Sequence, residues 1–150
     1  MHSPKFVMTL LALAMSLATV PAFADGGVKV PLANVSGLSK GEARSLLEDL
    51  VYANVASANC EDYAISDAEF SLLTGSADLI AADLGLSTDD YDADYYTPAF
   101  AGLDDAEFCD LEGPGVAEAL ATLLNMGGST EIIPDEAPVA LGGDKTQDKG

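Results

Sequence analysis

Tryptophan is absent from this sequence, histidine occurs once and cysteine twice, and 6 Lys and Arg residues stand against 25 Asp and Glu. Each scarcity removes a class of function. The formal net charge of −19 repels DNA, RNA and anionic membrane surfaces, which bind proteins through Lys and Arg on their phosphates, so no nucleic-acid partner is expected. The single histidine, His2, lies in a segment read below as a removable leader. Without it, Ser-His-Asp, Cys-His and HExxH chemistry is unavailable. A pair of carboxylates could in principle cleave a glycosidic bond, but the lack of Trp, the single arginine (Arg44) and the small size argue against a substrate cleft. No enzyme is expected. Strand signals are nearly as rare: Thr130-Glu131-Ile132-Ile133 is the best and is too short.

What is present begins with the leader. Lys5 precedes Phe6 to Val20, a run of Leu, Ala, Val and Met, and Ala22-Phe23-Ala24 supplies the small-x-small pattern read by a signal peptidase. The run is too short to span a bilayer, and no stop-transfer segment follows. Residues 1–24 are therefore expected to be a signal peptide, and the mature protein, periplasmic or secreted, to begin near Asp25 with no membrane insertion. Its basic residues are then Lys29, Lys40, Arg44, Lys145 and Lys149. Two readings of the acidity stay open: a solvated surface suited to a salty habitat, or a site for a cationic ligand or basic partner.

Cys60 and Cys109 are the only thiols, and an exported chain meets an oxidising compartment, so the even count predicts one disulfide. Around it the pattern predicts an all-α fold, a small bundle of about four helices with Cys60–Cys109 as its staple. Residues 25–38 show no sustained period and read as an extended segment. Ser39-Lys40-Gly41-Glu42 is a capping box, and Ala43, Leu46, Leu47, Leu50, Val51, Val55 and Ala58 follow at helical spacing. Ser66-Asp67-Ala68-Glu69 repeats the box ahead of Phe70, Leu73, Ala77, Ile80 and Leu84, with Gly85 suited to the left-handed position after the helix. Ser87-Thr88-Asp89-Asp90 opens an acidic, aromatic segment that Pro98 is expected to end. A turn or two of helix is expected at Asp104 to Cys109, a break at Gly113-Pro114-Gly115, and a last helix through Val116, Leu120, Leu123 and Leu124 to Gly127-Gly128. The helical domain thus covers 39–128, and 129–150 reads as a disordered tail.

Two candidate sites share the acidic segment. Asp90-x-Asp92-x-Asp94 matches the opening of a calcium loop, although Tyr95 stands where that loop needs Gly and Ala101 where it needs Glu. Weak calcium binding is the one cofactor considered; otherwise the acids are a solvated first turn of helix. Tyr91, Tyr95 and Tyr96 are candidates for an exposed recognition patch, whereas Phe70 and Phe108 are assigned to the core.

From Ala53 to Asn125 the layout resembles an uncharacterised family of small exported alphaproteobacterial proteins, a domain of unknown function. The matching residues are Asn59-Cys60, Ala82-Asp83-Leu84-Gly85-Leu86-Ser87, Asp89-Asp90-Tyr91 and Phe108-Cys109-Asp110-Leu111. Where the family carries a basic, Gly-containing stretch, this chain has Glu112-Gly113-Pro114-Gly115. The resemblance implies a helical, disulfide-bonded fold and no mechanism. Locally, Cys60-Glu61-Asp62-Tyr63 with Asp67 and Phe70 resembles the HdeA-type periplasmic acid chaperones, which implies acid-triggered binding of unfolded clients. Those proteins are Lys-rich and cationic in acid; here protonating every carboxylate leaves only the few Lys and Arg charges. The expectation is an exported, non-enzymatic interaction module with a protein partner in the cell envelope, its contact surface at Asp89 to Tyr96; an acid-stress chaperone and a calcium binder are the alternatives.

Overall fold

In a computed structural model the described residues, 27–134, form helices and connecting turns with no strand among them. The signal peptide expected at 1–24 and the tail from 135 lie outside the described residues. Three long helices carry the core. Helix α1 (Lys40–Asn59) packs on both α2 (Asp67–Asp83) and α5 (Phe108–Asn125), and α2 also touches α5. Between α2 and α5 runs one irregular helix, made of α3 (Thr88–Tyr91), a π turn (Asp92–Tyr96) and α4 (Thr97–Gly102). The expected all-α bundle of about four helices is what the chain builds.

Local chemistry sets where the helices start and stop. Glu42 N–H donates to Ser39 Oγ at 3.3 Å, and Ser39 N–H donates to Glu42 Oε2 at 2.9 Å. Ser66 and Glu69 repeat the arrangement, with the Ser66 hydroxyl also donating to Glu69 Oε2 at 2.7 Å. Each box satisfies two backbone donors that the first helical turn leaves free. At the far ends, Gly85 (φ 70°) and Gly127 (φ 89°) take the left-handed conformation. Gly85 N–H then reaches Ala82 O while Leu86 N–H reaches Ala81 O, the paired bonds that close a helix.

Both capping carboxyls are held below the usual carboxylate value of 4.5. For Glu42 the Ser39 hydroxyl contributes most and the Ser39 N–H next; for Glu69 the Ser66 N–H leads and the hydroxyl follows. A carboxyl whose folded value is depressed stabilises the fold above its unfolded value and loses that contribution as pH falls through the folded one. The E42Q/E69Q variant, which keeps the acceptor and removes the titration, is therefore expected to lose less stability than the parent between pH 6 and pH 3 (about 4.5 lying between). Urea midpoints at the two pH values measure the difference; equal losses would show that the boxes do not titrate with folding.

The core is aliphatic and closed. Leu47, Leu50, Val51, Leu72, Leu73, Ile80 and Leu123 are fully buried, and Phe108 is nearly so. The expected assignment of Phe108 to the core is met. Phe70 is not: it is 43% exposed, because Leu72 and Leu73, the next turn along, take the inward face. Ala58 and Leu124 are likewise exposed.

Two proline positions depart from expectation. Pro98 does not end the third segment; it occupies the first turn of α4, directly after the π turn, and the helix continues to Gly102. Gly113-Pro114-Gly115 does not break the chain either, since α5 runs through it from Phe108 to Asn125. The carbonyl that Pro114 leaves without an N–H partner belongs to Asp110, which is exposed to water. Gly113 is buried beneath the Tyr63 ring, and even a methyl group there would overlap that ring. No separate helix forms over 104–107; those residues make turns that lead into α5.

The disulfide is present, with Cys60 and Cys109 Cα atoms 5.6 Å apart. It joins the end of α1 to the first turn of α5 beside the 3₁₀ turn Glu61–Tyr63 that carries Tyr63.

Residues 27–38 form neither helix nor strand and pack on the core as a strap. Val30 and Ala33 are buried, Leu32 covers Gly75, and Ala33 N–H donates to the fully buried Ser76 hydroxyl at 3.2 Å. Residues 129–134, expected to belong to a disordered tail, run antiparallel beside it. Asn34 N–H donates to Met126 O, Ser129 N–H to Pro31 O at 2.9 Å, and Ile133 N–H to Lys29 O at 2.7 Å. Polar composition suggested a loose end, but these bonds give the backbone donors partners and hold the segment down.

Candidate functional site

The acidic segment does not assemble as the sequence suggested. Asp90, Asp92 and Asp94 lie at alternate positions of a helix, where side chains two apart point to different sides. Asp90 is engaged as a cap partner: its N–H donates to Ser87 Oγ at 3.1 Å, and the Ser87 hydroxyl donates to its Oδ2 at 2.7 Å. Among the described residues no group of three His, Cys, Asp or Glu side chains is placed to hold a metal ion. The calcium-loop match in the sequence is thus a helix N-terminus in the structure.

The tyrosines are brought together, but inward. Tyr95 is buried, and Tyr91 and Tyr96 are half-buried, so the expected exposed patch is corrected to an aromatic packing cluster. Its cause is the π turn. A wider turn lets residue i meet both i+4 and i+5, and the Tyr91 ring accordingly sits 6.1 Å from that of Tyr95 and 5.2 Å from that of Tyr96, edge to face in both cases. Tyr96 also stacks on Phe100 at 6.0 Å and accepts a hydrogen bond from Asn54 Nδ2 at 2.9 Å, which fixes the irregular helix to α1. Burial, with Tyr96 and Asp78 close by, pushes the Tyr91 phenol far above its ordinary range. Its Oη is buried with no hydrogen-bond partner among the described residues. Burial likewise raises the Asp78 carboxyl.

A concavity lies elsewhere, along the α1–α5 seam. This groove of about 410 Å³ is lined by Leu46, Glu48, Asp49, Tyr52 and Ala53 from α1 and by Glu112, Gly115, Glu118, Ala119 and Thr122 from α5. Small residues at 53, 115 and 119 leave the space, and Tyr52 is steadied by stacking on Phe108 at 6.4 Å. Four carboxylates line the groove and no Lys or Arg does. Sequence reasoning missed all four. The signal was there on α5, where Glu112, Gly115, Ala119 and Thr122 recur at helical spacing, but it is visible only if the helix continues through Pro114.

Fold and site together define a disulfide-stapled, all-helical domain with an acidic groove between its two most closely associated helices. No family model matches this chain, and no curated protein or solved structure matches it either. No helix among the described residues is long and apolar enough to cross a membrane.

Proposed function

We propose that this chain is an exported, non-enzymatic binding module of the cell envelope whose α1–α5 groove receives a cationic segment of a protein partner. The observation that carries the reading is the groove itself, in which Glu48, Asp49, Glu112 and Glu118 line one concave surface with no basic side chain to neutralise them. A Lys- or Arg-bearing segment would supply that charge, and complementary potentials of this kind govern encounter rate and partner choice. The leader-like N-terminus and the Cys60–Cys109 bond support export. The recognition surface moves from Asp89–Tyr96, whose aromatic rings are engaged in packing, to this groove.

The test uses a penta-lysine peptide and calorimetry at low salt. One-to-one saturable binding is expected, weakening as salt rises and falling roughly tenfold or more in the E48Q/E112Q variant. Binding that the variant leaves unchanged would place the contact elsewhere on the acidic surface. No binding at low salt would end the reading.

An acid-triggered chaperone comes second. In its favour, the Ser39–Glu42 and Ser66–Glu69 boxes hold α1 and α2 most firmly while ionised, so acid loosens the starts of both helices. Protection of an unfolded client near pH 3, well below the ordinary carboxylate range, with none at neutral pH would put it first.

A further inference from the structure

Lys29, Lys40 and Arg44 are the only basic residues in the described region, all in the strap or at the start of α1, and no Lys or Arg lies between Arg44 and Lys145. Neither Lys40 nor Arg44 forms an ion pair within the described residues. The shortage also shows at the helix ends. None of α1, α2 and α5 has a basic residue in its last turn, where the partial negative charge of the backbone favours one, and α2 ends on Asp83. At the α1–α5 seam, Glu48 and Asp49 share a groove with Glu112 and Glu118.

We infer that ionic strength sets how firmly α5 seats on α1, with dissolved cations standing in for the basic side chains the chain does not supply. The two helices make the most extensive contact in the fold through an apolar seam, and the charges that flank it oppose that contact. Carboxylates exposed to water are repelled over a Debye length of about 30 Å at 10 mM salt and only about 3 Å at 1 M, so salt removes the repulsion while leaving the seam intact. This is a diffuse effect requiring no bound ion. It concerns the same groove as the partner reading but is read on the free protein, so either can fail alone.

The experiment follows the melting temperature of the free, oxidised protein by circular dichroism from 10 mM to 1 M NaCl, with hydrogen exchange of the α5 amides at both ends of the range. A rise of roughly 10 °C is expected, with α5 exchanging faster at low salt. The E112Q/E118Q variant should melt higher than the parent at low salt and gain clearly less from added salt. D89N/D104N, which removes as much charge away from the groove, should keep most of the parent's salt response. A flat melting temperature overturns the inference, as does a control pair that flattens the response as much as the groove pair. So does stabilisation that saturates at equimolar calcium and is not matched by NaCl of equal ionic strength, because that is the mark of a discrete site.

Discussion

Replacing Cys60 and Cys109 together by serine is expected to lower the unfolding free energy by about 4 kcal/mol. That is the chain-entropy value for a closed loop of 49 positions. The loss is a large share of the 5–15 kcal/mol (roughly) that holds a typical small domain together. In this fold the bond does more than close a loop. It ties the end of α1 to the start of α5, next to the place where Tyr63 covers Gly113 and where Pro114 removes a backbone hydrogen bond. The α5 region before Val116 is therefore expected to lose hydrogen-exchange protection first in the Cys60→Ser, Cys109→Ser protein, before global unfolding. Denaturant titration of the oxidised and serine forms gives the size of the effect. An unchanged midpoint would show that the native contacts hold α5 on α1 without the bond.

Truncating two neighbouring leucines should give very different results. Leu123→Ala removes a side chain with no solvent exposure from the contact of α5 with the core, and a cost of about 3 kcal/mol is expected from lost burial plus the cavity left behind. Leu124→Ala removes one that is 46% exposed, and a change below about 1 kcal/mol is expected. Urea midpoints of the two variants make the comparison. Equal losses would mean that Leu124 is covered in solution by something beyond the described residues.

That pair shows where the sequence was legible. Hydrophobic spacing placed both leucines on the buried side of the last helix, and only the crossing of α5 over α1 and α2 decides which of them reaches the core. The same holds for Phe70, whose place in an apolar stripe suggested burial although Leu72 and Leu73 fill the inner face. Features fixed by a few adjacent residues, the two capping boxes and the left-handed Gly85, could be read directly, and the cysteine pairing followed from there being only two. What could not be read depended on distant partners. Gly113-Pro114-Gly115 has every local mark of a break, yet a disulfide four residues earlier and the Tyr63 ring hold it helical. Tyr91, Tyr95 and Tyr96 carry the composition of a contact face, and the π turn that turns them inward has no simple signature in a single sequence. The groove was hidden by the same misreading, since two of its carboxylates lie on either side of Pro114.

The pairing of the strap with residues 129–134 gives the domain an unusual mechanical character. Because the two segments are antiparallel and Lys29 lies beside Ile133, the described residues begin and end close together. Tension applied between residues 27 and 134 would act on the Lys29–Ile133 contact first, then on Pro31–Ser129, then on Asn34–Met126, one bond at a time. A load shared in sequence is resisted weakly, so the two segments would peel away before the helices bear any force. The helical core, closed through its own disulfide, would be left intact on a slack tether.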